Sequence, residues 1–182
     1  GHYGEKVRVG DVESENAIFF DCDTLVFNNP YSLIEGNFDI KARPSTYQPP
    51  TSQWKNMFDF FNQQYIDWMP NAGVLVFKNG SHKRIQQKWK KYLSKDLMRF
   101  FPDKGTMRLK DQWSLALAIS DLNVHKMTKK EHLIEWDEGI QSDATVYHYD
   151  QKSSSGVTVE MIRNRPIWFA KRLYRNKIGG PW

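Results

Sequence analysis

Asp21 and Asp23 stand one residue apart, directly behind four apolar residues, in the stretch AIFFDCDTLVFNNP. An Asp-x-Asp pair alone means little, because thirteen Asp among 182 residues make about one such pair expected by chance. Requiring four apolar residues in front lowers that expectation to roughly 0.02. In an extended backbone residues i and i+2 point to one side, so the sequence predicts both carboxylates on one face, with Cys22 turned into the packing. Strand ends are where open α/β sheets hold ligands. Two carboxylates this close repel each other, and a divalent cation between them removes that cost. The plain alternative is a pair of turn or cap aspartates opening DTLVFNNP.

The elements that must position this pair alternate between strands and helices. Ala17 to Phe20 reads as a strand buried on both faces, and NFDIKARP (37–44) as a second strand with one solvated face, ended by Pro44. PSTYQPPTSQ is a loop, after which Thr51 or Ser52 caps a helix with Trp54, Met57, Phe58, Phe61 and Tyr65 at helical spacing. AGVLVF (72–77) is a buried strand closed by the turn pair Asn79-Gly80. Ser81 then caps HKRIQQKWKKYL, whose inner stripe is Ile85, Trp89 and Leu93. Asp111 falls where an N-cap would sit for QWSLALAISDL, and DATVYHYD (143–150) alternates as a strand before the loop 153–156. Residues 1–16 are polar and carry no clear period. This order predicts one α/β domain over 1–182, with its chemistry in 17–152 and a basic, aromatic tail in 157–182.

Composition narrows the partners. Hydrophobic residues make up 40%, aromatics 14% and charged residues 26%, which is the make-up of a globular chain rather than a disordered one. The net charge of +5 suits an anionic partner: a polyanion, a membrane surface or a phosphorylated small molecule. Cys22 is the only cysteine, which excludes an intrachain disulfide and a four-cysteine zinc site and fits a reducing compartment. No apolar stretch approaches the roughly 18 residues that span a bilayer. A cytoplasmic protein is expected, or one of the Golgi lumen if an anchor lies outside this stretch. The lysine-rich helix 81–93 and the segment RNRPIWFAKRLYRNK read as solvated faces rather than a nucleic-acid surface, with peripheral membrane contact open to the tail.

Four stretches, in this order, resemble the motifs of sugar-nucleotide-dependent glycosyltransferases of type A fold, especially the family 8 group of glycogenin and bacterial galactosyltransferases. FFDCDTLVF is similar to their metal strand, PNAGVLVFKNG to their Asn-[Ser/Ala]-Gly strand, KDQWSLALAI to their Asp-Gln helix start, and VYHYDQK to the stretch with their late metal histidine. The resemblance implies a mixed, mostly parallel sheet flanked by helices. It implies Mn²⁺ (or Mg²⁺) held by Asp21, Asp23 and His148, with Asp21, Cys22 and Asp23 as the cofactor-binding stretch. Asn71, Ala72, Gly73 and Lys152 would hold substrate, and Asp111 and Gln112 would act at the reacting sugar. The activity implied is transfer of a hexose from a UDP-type donor to a glycan, lipid or protein, with retention.

The same residues have plainer readings. His148 can be a strand histidine satisfied by ordinary hydrogen bonds, Asn71 a turn residue after Pro70, and Asp111 a helix cap. His2 is terminal, His82 lies in a lysine-rich helix start, and His125 and His132 sit in a polar, lysine-rich region. Two other functions compete. A haloacid-dehalogenase-type phosphatase would use Asp21 as nucleophile and Asp23 as acid and base, with Asp137-Glu138 as its late acidic pair, although Thr24 comes one residue early for that signature. A glycan-binding module without catalysis is the other. Since a β-α-β unit takes about 30 residues and sixteen precede Ala17, the nucleotide-binding half of a type A fold is expected to lie outside this chain or on a partner.

Overall fold

The computed structural model describes residues 2–101, 109–134 and 144–148. Lys152, the Asp137-Glu138 pair and the tail 157–182 lie outside the described residues. The chain divides into two compact units, the first formed by Gly1–Phe19 with Gly36–Lys126, the second by Phe20–Glu35 with Met127–Trp182.

The first unit is built on a four-stranded sheet in the order β1-β4-β3-β5, with β1 at Ala17–Phe20, β3 at Ile40–Pro44, β4 at Pro70–Phe77 and β5 at Val124–Lys126. Strand β3 runs antiparallel to β4, Ile40 opposite Phe77, and parallel to β5, Ile40 opposite Val124. Pro70 is tolerated as the first residue of β4 because no ladder donor is needed there. Residues 72–77 are all buried, as a continuous apolar run predicts. Two strands differ from expectation. At the edge of the sheet, β1 buries only Ala17 and leaves Ile18, Phe19 and Phe20 half-buried. Interior β3 has no solvated face: Ile40, Lys41, Ala42 and Arg43 are all buried. The Lys41 ammonium lies 4.7 Å from the centroid of the Phe38 ring, a cation–π contact that eases its burial.

Among the described residues three α-helices pack in this unit. Helix α1, Thr51–Phe60, buries Trp54, Met57 and Phe58 and ends at Phe61, so Tyr65 lies beyond it. Its N-cap is Pro50, with no side-chain cap from Thr51 or Ser52. Helix α2, Ser81–Leu93, buries Ile85, Trp89 and Tyr92, with Leu93 only half-buried. Gly80 precedes it at φ +67°, a left-handed conformation that suits glycine, and Ser81 instead donates its hydroxyl to the Asp39 carbonyl at 2.6 Å. Helix α3, Lys110–Ala118, is buried from Asp111 to Ala118, which is why it lacks an amphipathic period.

Residues 2–11, polar by composition, wind tightly as a 3-10 segment against α2 and bury Val7 and Val9. A Cβ added at Gly10 would lie 2.5 Å from the Gln86 side chain, so glycine sets how closely the two pack. The core of this unit is aromatic. Trp54, Trp89, Trp113, Phe58, Phe77 and Phe101 are fully buried, and each such side chain contributes roughly 1.5–3 kcal/mol by leaving water. The indole of Trp89 spans the two helices, donating to the Asp111 carbonyl at 3.2 Å and to Ser114 Oγ at 3.1 Å.

The second unit holds a three-stranded sheet in the order β2-β7-β6: Thr24–Val26, Val146–His148 and His132–Ile134. Strand β2 is antiparallel to β7 and β6 is parallel to it. Its smaller interior contains Leu33, Leu133, Ile134, Ala144, Val146 and Tyr147. Asn29 caps the short turn Pro30–Ile34 by accepting the Tyr31 N–H at 3.1 Å, and Leu33 from that turn is fully buried. The sheets are mixed, as expected. Of the strand pairs with a described direction, two are parallel and two antiparallel. Among the described residues no helix is long and apolar enough to cross a membrane.

Candidate metal centre

The chain reaches Asp21 one residue after β1 and turns there. The Thr24 N–H donates to the Asp21 carbonyl at 3.1 Å and the Thr24 hydroxyl to the same oxygen at 2.8 Å, which closes a tight turn into β2. The two aspartates therefore share a turn rather than an extended strand end. Asp21 and Asp23 are half-buried and Cys22 is exposed, which corrects the expectation that Cys22 turns into the packing. The turn is closed through the Asp21 backbone oxygen, not through its carboxylate.

Register then delivers the imidazole. In the antiparallel β2–β7 pair Thr24 lies opposite His148, so His148 arrives beside the residue that precedes the strand. Its Nε2 is 3.2 Å from Asp23 Oδ1, with the two side chains 13% and 19% exposed. One ligand atom from each of Asp21, Asp23 and His148 lies within 4.8 Å of the others. Two ligands bonded to one small ion at about 2.1 Å each span about 4 Å at most, so this cluster is close to the size of a coordination sphere. Two hard carboxylates and one imidazole form a donor set that fits Mn²⁺ or Mg²⁺.

A second histidine stands behind the first. His132, fully buried, faces His148 Nδ1 through its own Nε2 at 3.2 Å, and the rings stack at 19° with centroids 5.4 Å apart. Its lysine-rich surroundings in the sequence conceal this role. The usable signal is local: His132 opens the apolar run His-Leu-Ile, which becomes the parallel partner of β7.

The first unit gathers the other candidates. Asp111 is the second residue of α3 rather than its N-cap, which is Leu109. Its Oδ2 pairs with Lys6 Nζ at 3.0 Å, and the same ammonium donates to the Ala72 carbonyl at 3.3 Å and lies 5.9 Å from the centre of the Phe19 ring. Lys6 thereby joins Asp111 to the Asn71-Ala72-Gly73 stretch. Nothing in the sequence pairs Lys6 with a helix more than a hundred residues later. Asp111 Oδ1 and Gln112 Oε1 are buried without a hydrogen-bond partner among the described residues. Asn71 Oδ1 accepts the Gly73 N–H at 2.8 Å, so Asn71 shapes the start of β4 with its oxygen and keeps its amide nitrogen as a donor.

No protein-family model and no curated protein matches the chain. Among solved structures, the glycosyltransferase GlyE of Streptococcus pneumoniae TIGR4 aligns with 92% of this chain at a TM-score of 0.57 and 16% identity. The fold is that of the type A glycosyltransferases. The apo form of GlyE gives the same TM-score at 14% identity over 94% of the chain, and the bifunctional glycosyltransferase WbbM gives 0.52 at 13% over 97%. The chain spans 46% of the length of GlyE and 37% of that of WbbM.

Proposed function

We propose that this chain is the metal-bearing part of a nucleotide-sugar-dependent glycosyltransferase that moves a hexose from a UDP-type donor to a glycan, lipid or protein. The observation that carries the reading is the cluster of Asp21, Asp23 and His148 within a chain of type A fold. Asp21, Asp23 and His148 hold the divalent ion, which supplies positive charge against the negative charge that builds on a departing diphosphate. In the transfer, the bond from the anomeric carbon to the diphosphate oxygen breaks, a bond to the acceptor oxygen forms, and the acceptor's proton is released. The retaining outcome belongs to this reading through the family resemblance.

In the first unit the Lys6–Asp111 pair fixes a carboxylate in place, and the buried Oδ1 of Asp111 and Oε1 of Gln112 are acceptors suited to sugar hydroxyls. The Asn71 amide donor and the backbone of Ala72 and Gly73 complement them. Lys152 is assigned to the diphosphate by the same resemblance. The test is a thermal-shift and hydrolysis screen of UDP-sugars with and without Mn²⁺. A donor whose hydrolysis and stabilising effect both need the metal supports the reading, since a ligand of the native state raises stability by mass action. Glycan binding indifferent to metal, with no donor hydrolysis, would overturn it in favour of a non-catalytic module.

A further inference from the structure

We propose that His132 is a positioning residue for the metal centre, fixing the ring plane and the proton position of His148; the inference rests on the metal reading of Asp21, Asp23 and His148. The geometry forms a line. Asp23 Oδ1 is 3.2 Å from His148 Nε2, and His148 Nδ1 is 3.2 Å from His132 Nε2. A neutral imidazole has one nitrogen that donates and one that accepts, so a contact at one nitrogen dictates what the other can do.

For His148 to offer the Nε2 lone pair to a cation, its proton must sit on Nδ1 and find an acceptor there. His132 Nε2 is that acceptor, provided His132 carries its own proton on Nδ1. With no cation bound, the Asp23 carboxylate 3.2 Å away favours the reverse: the proton of His148 on Nε2, facing the negative charge, and the proton of His132 on Nε2, donated to His148 Nδ1. The two arrangements hold the same number of protons. Loading the centre moves the proton of each ring from Nε2 to Nδ1, and neither ring changes charge.

The fold holds the two rings for this purpose. Strands β6 and β7 are parallel with Ile134 opposite His148, which sets His132 two residues back on the same face of β6. The His132 N–H donates to the Thr128 carbonyl at 3.1 Å, so the strand is tied down where the histidine enters it. Packing alone would be met by any flat ring at this fully buried position. The nitrogen-to-nitrogen contact with His148 uses what a phenyl ring lacks.

The experiment compares His132→Phe, which keeps a flat ring and removes the acceptor, with His132→Gln, which restores a side-chain acceptor. Mn²⁺ binding to the whole chain is read by calorimetry, with Asp23→Asn as the marker of binding at this centre and the metal-free melting midpoint as a control. Expected is a loss of affinity of about 10–100-fold in His132→Phe, the usual size of such support, with much of it recovered in His132→Gln. Equal affinity in His132→Phe and the parent overturns the role of His132 and leaves the metal centre standing. A parent that binds no Mn²⁺, or binds it unchanged by Asp23→Asn, overturns both.

Nitrogen-15 spectra of the histidines with Cd²⁺, a diamagnetic stand-in, need no variant and decide the matter if His132→Phe fails to fold. His148 should show a metal-shifted Nε2 and a protonated Nδ1. A His132 proton on Nε2 in the loaded protein, which leaves His148 Nδ1 without its acceptor, overturns the inference.

Discussion

The two units answer buried negative charge in different ways. In the first, the Asp111 carboxylate meets the Lys6 ammonium at 3.0 Å, so a permanent cation of the chain holds the acid. In the second, Asp21 and Asp23 gather with His148, a partner that carries charge only when protonated. The first takes its countercharge from the chain itself, while Asp111 Oδ1 stays buried without a hydrogen-bond partner among the described residues. The second is a donor set able to hold a divalent cation. Among the described residues, an extended aromatic interior frames the Lys6–Asp111 pair, and Leu33, Leu133, Ile134, Val146 and Tyr147 form the interior of the unit that holds the acids and the imidazole.

The most direct way to break this contrast is to remove an acid from the second unit. Asp21→Asn or Asp23→Asn should cut Mn²⁺-dependent donor hydrolysis by about a thousand-fold, the equivalent of several kcal/mol of charge stabilisation. The same variants should lose the Mn²⁺-induced rise in melting temperature while keeping the metal-free midpoint. Undiminished hydrolysis would remove the metal from the mechanism.

Next in size is the core of the first unit. Trp89→Ala should cost about 3–5 kcal/mol in urea unfolding, because a fully buried indole and its two hydrogen bonds between α2 and α3 are lost together. Lys6→Met sharpens the contrast further. It strands the Asp111 carboxylate in a buried site and should cost about 3 kcal/mol, with part restored when Asp111→Asn is added. A harmless Lys6→Met would mean that the fold does not depend on this pair.

The smallest effect is a pH dependence at Asp39. The Asn123 N–H, donating to its Oδ2 at 3.0 Å, and the paired Arg84 guanidinium hold this carboxyl below the ordinary value of 3.8, against the opposing effect of burial. A lowered folded-state value means that stability is fully present above pH 3.8 and is lost as pH falls from there through the folded-state value. Asp39→Asn should flatten that part of the acid-unfolding curve, measured against the parent.

Several features of this arrangement are legible in the sequence. The apolar runs give β1 and β4, the helical spacing gives α1 and α2, and the Asp-x-Asp placement draws attention to the residues that the turn before β2 brings beside His148. Other features depend on tertiary partners. The capping roles of Thr51, Ser81 and Asp111 are displaced because Pro50, Gly80 and Leu109 occupy those positions, and Ser81 and Asp111 are engaged elsewhere in the fold. Lys6 and His132 escape notice because their partners are distant in sequence or hidden by register; Lys6 leaves no local pattern, and His132 leaves only the short apolar run that it opens. Strand β3 reads as half-solvated because Lys41 and Arg43 are charged, and no rule of alternation foresees that both faces will be covered.

That strand has a consequence for how the sheet assembles. Lys41 and Arg43 occupy one side of β3 and Ile40 and Ala42 the other, so a pairing displaced by a single residue would exchange the two sets. Misaligned zippering would force two cations into places shaped for methyl groups and strip Lys41 of its aromatic neighbour. The charges thus act as a proofreading device, rejecting the wrong alignment while the chain is still finding the right one.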